Sequence, residues 1–175
     1  HLNFPLQYFF YRMATLAPFL KANPEALHPV TARVLAEAER HSAVDAFRAQ
    51  HRLAALRATT ARVWGTIDAL ALPTTPTIFR HAEVEAAPLG RNADLGTYTN
   101  FVNLLDCAAV AVPAGIDARG LPAGITLIGP AESDARLAAL GDALHRSASV
   151  PMGATGRPLP PPVARPSVAR KSGKF

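Results

Sequence analysis

The chain is poor in the residues that mark secreted, membrane or metal-binding proteins. It has one cysteine in 175 residues, so no internal disulfide can form. That residue, Cys107, sits in the apolar run LLDCAAVAV, where an unpaired thiol behaves as a small hydrophobe. No stretch approaches the roughly 18 uninterrupted apolar residues of a membrane span. The opening HLNFPLQYFFYR lacks the basic segment, apolar run and small-residue cleavage site of a secretory leader. The expectation is a reducing, cytoplasmic setting with no membrane partner. Six histidines (His1, His28, His41, His51, His81, His145) form no H-E-x-x-H pair and have no cysteines at zinc spacing, so no metal site is expected. G-x-S-x-G, G-x-x-x-x-G-K-[ST] and G-x-G-x-x-G are all absent, which removes the usual signals of α/β-hydrolase, P-loop and dinucleotide chemistry and leaves no cofactor to expect.

Acidic residues are missing from one end only. The net charge of +5 arises in residues 147–175, which hold Arg157, Arg165, Arg170, Lys171 and Lys174 and no acid; the remaining thirteen Lys and Arg face thirteen Asp and Glu in residues 1–146. That tail has six prolines and few large apolar residues, so burial cannot offset the entropy of ordering it, and it reads as a linker or disordered end. Its basic residues are scattered without interleaved aromatics, which argues against nucleic acid as a partner.

The remainder is 49% hydrophobic by whole-chain composition, enough for a buried core. Residues 23–67 read as helical. Asn23-Pro24 looks like a cap with proline at the first helical position, Pro29 interrupts, and a short helix follows over residues 30–40. Ser42-Ala43-Val44-Asp45 fits a capping box, and the apolar positions Val44, Phe47, Leu53, Leu56, Val63, Trp64 and Ile67 then give one packing face. Residues 68–73 (DALALP) fit a short buried strand that delivers the loop TTPTIFRH. A short helix is expected over residues 98–105. Residues 108–116 and 123–128 are apolar runs joined by DARGLP, a turn containing glycine and proline, hence a hairpin or two neighbouring strands, and Ser133-Asp134 is expected to cap a final amphipathic helix through Leu137, Leu140 and Leu144. Helices alternating with strands imply an α/β layered fold. His51 reads as a helix residue and Cys107 as core; Ser42 and Ser133 read as caps.

A set of motifs in fixed order rises above this background: VPAG (residues 112–115), a four-residue connector, GLPAGITLIGP (residues 120–130), then an amphipathic helix opened by Ser133-Asp134. The set resembles the C-terminal end of amidase-signature hydrolases. FLKANPEALHPV (residues 19–30), SAVDAFRAQHRLAALR (42–57), LPTTPTI (72–78) and LGTYTNFVNLLD (95–106) resemble the allophanate hydrolases within that family. The likeness spans residues 12–146.

This resemblance implies the C-terminal half of an α/β/α sandwich with a mixed central sheet. Residues 1–146 would be a partial amidase domain with residues 1–11 atypical, and residues 147–175 a Pro/Arg-rich linker. The family's Ser-Ser-Lys machinery lies in an N-terminal Gly/Ser-rich segment that has no counterpart here, and Lys21, Lys171 and Lys174 are the only lysines. No catalytic residue is therefore assigned. A family motif resembling Y-x-G-P-W-V-A-E-R implies that Arg12 occupies its substrate-binding arginine, although the tyrosine position falls on Phe4 and residues 5–11 depart from the pattern. Tyr98 and Asn100, in the TYTNF run, are implied near the active-site mouth. The complete enzyme would cleave a C–N bond of allophanate in urea breakdown, with this small molecule as its substrate. Another amidase-signature enzyme (a general amidase or transamidase subunit) and a non-catalytic interaction module are the alternatives. An unpaired half-sheet implies homo-oligomerisation or association through that surface.

Overall fold

A computed structural model of the chain describes residues 6–36, 40–152 and 155–161, with the side chains of residues 6–13 and of Pro24 outside that description. Its first third is helical. Helix α1 (Leu6–Ala22) precedes any element read from the sequence and closes at Asn23. There the Asn23 backbone amide and side-chain Nδ2 both donate to the Phe19 carbonyl, at 2.9 and 3.1 Å. Asn23 thus finishes one helix and does not cap the next: Pro24–Ala26 form a single 3₁₀ turn with no side-chain cap bond. Helix α2 (Pro29–Ala36) takes Pro29 as its first residue, where the missing N–H costs nothing. The expected extension toward Arg40 crosses residues 37–39, which lie outside the described residues.

Helix α3 (Ala43–Val63) opens on the capping box read from the sequence. The Asp45 amide donates to Ser42 Oγ at 3.2 Å and the Ser42 amide donates to Asp45 Oδ2 at 3.0 Å. Hydrogen bonds from the Ser42 hydroxyl and then its amide, with Arg48 and His41 charges nearby, hold the Asp45 carboxyl below its ordinary value. Helix α1 packs on α3. No residue of α3 is buried, however, and Val44 and Phe47 are 56% and 63% exposed. The apolar face is there, but nothing in the described residues covers its N-terminal end.

The remaining elements are β1 (Leu70–Pro73), α4 (His81–Ala86), α5 (Pro88–Leu95), β2 (Cys107–Ile116), β3 (Pro122–Pro130) and α6 (Asp134–Ala148). Strands β2 and β3 form the expected hairpin. Its loop is held by Asp117, whose carboxylate accepts from the Arg119 and Leu121 amides at 2.8 and 3.0 Å and from the Arg119 guanidinium. The Leu121 amide first, and then Arg119, hold that carboxyl below its ordinary value. Sheet order is β1-β3-β2, and both pairings are antiparallel, so any parallel pairing of a mixed sheet would involve strands other than these three.

Helix α6 lies across one face of the hairpin. Gly141 sits on Val112 and Val110, and a Cβ there would come within 3.0 Å of Val112 Cγ1. Leu137 covers Gly129 on the same face. Strand alternation puts Leu127 beside them and turns Thr126 and Ile128 the other way. Leu137, Ile128 and Leu127 are 1%, 0% and 4% exposed, which makes this unit the core of the described chain. On the face away from α6, Ala109 and Ala111 of β2 are exposed. The outer edges of β1 and β2 are unpaired among the described residues.

Two details of α6 differ from expectation. Ser133 precedes the helix but does not cap it with its side chain: its backbone (φ −87°, ψ 11°) is not extended, and Oγ donates back to the Pro130 carbonyl at 2.6 Å. The helix also runs to Ala148, two residues beyond the expected end of the folded part. Past it, His145 Nε2 lies 3.3 Å from the Pro151 carbonyl and the Met152 amide donates to the Arg157 carbonyl. The rest of the basic tail, residues 162–175, lies outside the described residues. No helix among the described residues is long and apolar enough to cross a membrane.

Candidate functional site

The stretch joining α5 to β2 carries two of the three candidate residues, and it is not the helix expected over residues 98–105. Residues 96–106 are a succession of tight turns. Thr99 and Val102 amides reach back three residues, Asn100 and Leu105 amides four, and the Cys107 amide five, to Val102. β-Branched Thr97, Thr99 and Val102 weaken helical propagation here, and Asp106 ends the stretch in the left-handed region (φ 57°), redirecting the chain into β2. Tyr98 is half-buried and Asn100 exposed. Neither the Tyr98 hydroxyl nor the Asn100 carboxamide has a hydrogen-bond partner among the described residues.

This turn region is tied to the helical arm by Arg57 of α3, whose Nε donates to the Leu104 carbonyl at 2.8 Å. Nothing in the sequence spacing signals that long-range bond. Arg12 lies on α1, which packs on the same helix α3. Its side chain falls outside the described residues. The three candidates are thus linked through α3, with Tyr98 and Asn100 two residues apart on one turn and Arg12 on a separate element.

At the end of β1, Thr126 Oγ1 donates to Thr74 Oγ1 at 2.9 Å, and the Thr74 amide donates to the Gly124 carbonyl at 3.0 Å. These bonds pin the TTPT loop to the central strand. Gly124 has no room for a side chain, since a Cβ would lie 2.9 Å from Thr74 Oγ1. From that loop Phe79 stacks under the Arg91 guanidinium of α5, 4.7 Å from ring centre to Cζ, and Arg91 also pairs with Asp94 at 3.2 Å. Helix α5, absent from the sequence reading like α4, therefore ties the TTPTIFRH loop to the turn region that follows it.

The remaining chemistry-bearing groups lie in ordinary helix or core positions. Cys107 is half-buried, and desolvation pushes its thiol above its ordinary value; the Asp106 charge adds to this and Arg57 opposes it, so the sulfur is held in its unreactive form. His51 is exposed on α3, and His145 is buried against Pro151. An open groove of about 610 Å³ beside the end of α6 is lined by Arg146, Ser149, Pro151 and Leu159 among others, and none of the three candidate residues lines it. The described residues hold no group of three or more His, Cys, Asp or Glu placed to share a metal ion.

Comparison with known proteins gives these features a context. The amidase family model, described as "Amidase", matches residues 16–138. A urea amidolyase of Saccharomyces cerevisiae is 38% identical over 133 residues, which is 75% of this chain and 7% of that protein. A urea amidolyase of Lachancea kluyveri is 37% identical over 159 residues, 90% of this chain and 8% of that protein. The structure of Kluyveromyces lactis allophanate hydrolase superposes with a TM-score of 0.77 at 33% identity, covering 86% of this chain and 24% of its own. The chain therefore spans less than a tenth of the length of these two urea amidolyases and about a quarter of the solved allophanate hydrolase.

Proposed function

Because this chain belongs to the amidase family, we propose that it is the C-terminal half of the amidase domain of an allophanate hydrolase, an enzyme that opens a C–N bond of allophanate with release of ammonia in cytoplasmic urea breakdown. The observation that carries the reading is the superposition on K. lactis allophanate hydrolase, which runs through 86% of the chain at 33% identity. In this reading the nucleophile and its base come from the part of the domain outside this chain, and the chain contributes the packed hairpin and substrate contacts. Residues 147–175 serve as a connector, and the exposed face and edge of β2 are where association takes place.

Arg12 has a chemical rationale as the specificity contact. Allophanate carries a carboxylate beside its amide, and a guanidinium can hold that group through two parallel charge-assisted hydrogen bonds that fix its orientation as well as its affinity. A neutral amide offers no such handle. Tyr98 and Asn100 present an open hydroxyl and carboxamide that can bond the remaining polar atoms of the substrate.

The test is kinetic. The purified chain alone should release no ammonia from allophanate above the buffer rate. In the complete amidase domain, Arg12→Ala should lower kcat/KM for allophanate by roughly 30-fold to several-thousand-fold, the 2–5 kcal/mol typical of removing one partner of a desolvated charge pair. Hydrolysis of a small uncharged amide should be unchanged. Equal losses on both substrates would mean a damaged fold, and loss on neither would remove Arg12 from the site.

A further inference from the structure

The side chain of Asn100 occupies the place where a side chain at residue 96 would begin. A Cβ built on Gly96 lies 2.5 Å from Asn100 Cγ and falls on the carboxamide oxygen and nitrogen. The backbone arranges this juxtaposition: the Asn100 amide donates to the Gly96 carbonyl at 2.8 Å, so residue 100 closes one turn over residue 96 and its side chain lies back across it. Glycine is not demanded here by the backbone, because Gly96 has φ −83° and ψ 1°, which other residues adopt in turns. What a side chain there would meet is the Asn100 carboxamide.

We infer that Gly96 is a positioning residue, whose missing side chain forms the socket that aims the Asn100 carboxamide at the substrate. The inference rests on the reading of Asn100 as a substrate contact and names what directs it. Asn100 is exposed and its carboxamide makes no hydrogen bond among the described residues, so packing on Gly96 is the contact that fixes its direction. The atoms a Cβ would strike are the free end of an exposed side chain, not backbone. A methyl group at residue 96 therefore swings the carboxamide away while leaving the turn intact, and it separates aim from folding.

Two measurements test this. In the 175-residue chain, Gly96→Ala should move the Asn100 side-chain NH₂ resonances and leave amide resonances of β2, β3 and α6 in place. In the complete amidase domain, Gly96→Ala should lower kcat/KM for allophanate on the order of tenfold to a hundredfold, as misplacement of a substrate-orienting group does, with an unchanged melting temperature. Asn100→Ala should lose at least as much, and the double variant no more than Asn100→Ala alone. If Asn100→Ala is impaired while Gly96→Ala matches the parent, or if the two losses multiply in the double variant, the inference fails and Asn100 keeps its role. If Asn100→Ala turns over at the parental rate, Asn100 loses its role as a contact and the inference goes with it.

Discussion

The hairpin with α6 and the helical arm of α1 and α3 show opposite ways of using apolar residues. In the first, Leu137 and Ile128 are 1% and 0% exposed, and Gly141 lets α6 ride directly on Val110 and Val112. In the second, α3 has a well-formed capping box and a regular apolar face, yet buries none of its residues and leaves Phe47 63% exposed. Local rules make a helix in both cases. Helix α6 is sealed against the hairpin, whereas α3, although α1 packs on it, keeps much of its apolar face uncovered among the described residues.

The sharpest way to break that contrast is to truncate one residue in each region. Leu137→Ala should destabilise the chain by about 2–5 kcal/mol, the usual cost of emptying a filled core site. Phe47→Ala, at an exposed position, should stay within about 0.5 kcal/mol. Urea denaturation followed by circular dichroism reads both, and comparable losses would show that the arm is buried after all. In the complete domain Phe47→Ala should become costly, because the face it sits on would then be covered.

A smaller effect isolates the cap of α3. Ser42→Ala removes the acceptor for the Asp45 amide and should cost about 1 kcal/mol, the typical value for an N-cap. The cap should also be sensitive to acid. Because the folded state lowers the Asp45 pKa, its contribution is full above the ordinary aspartate value and is lost as the pH falls through the lower folded one. Helical signal should decline over that acidic window in the parent and show no such step in Asp45→Asn. An identical acid profile in both would place the sensitivity in other carboxylates.

The smallest expected change lies at the joint between the regions. Asp106 holds a left-handed backbone just before β2, and Asp106→Gly removes that steric cost at the expense of some chain entropy, for a net gain of roughly a few tenths of a kcal/mol. Loss of the Asp106 charge should also lower the Cys107 pKa slightly, by less than the burial that mainly raises it. Thiol titration with a disulfide reagent across alkaline pH would detect this, and an upward shift would contradict the assignment of causes.

The features legible in the sequence were those decided within a few residues. Ser42 and Asp45 are three apart, and both halves of their capping box form as read. The apolar runs around DARGLP pair as a hairpin because a short loop, closed by Asp117, joins them locally. Where a residue had two local options, the sequence did not decide between them. Asn23 and Ser133 both look like N-caps, but each bonds a carbonyl behind it, Phe19 and Pro130, because the preceding element offers an acceptor first. The turns of residues 96–106 were read as helix because their apolar spacing is compatible with one; the competing β-branched residues and the left-handed Asp106 decided otherwise. The candidates Arg12, Tyr98 and Asn100 were named through family likeness alone. The roles of Gly96, Arg57 and the Thr74–Thr126 pair appear only when residues four, 47 and 52 positions apart meet in space.

The Asp117 loop has a bearing on the order in which the chain assembles. Its carboxylate gathers the Arg119 and Leu121 amides before any distant contact is needed, so β2 and β3 can zip from a five-residue closure, on the microsecond scale of hairpins. Helix α6 follows directly in sequence and docks with little further loss of chain freedom. Strand β1 must come from more than fifty residues away to pair Leu70 with Ile128, a much slower search. During synthesis β1 therefore leaves the ribosome before its partner β3 and waits without that partner until the hairpin emerges.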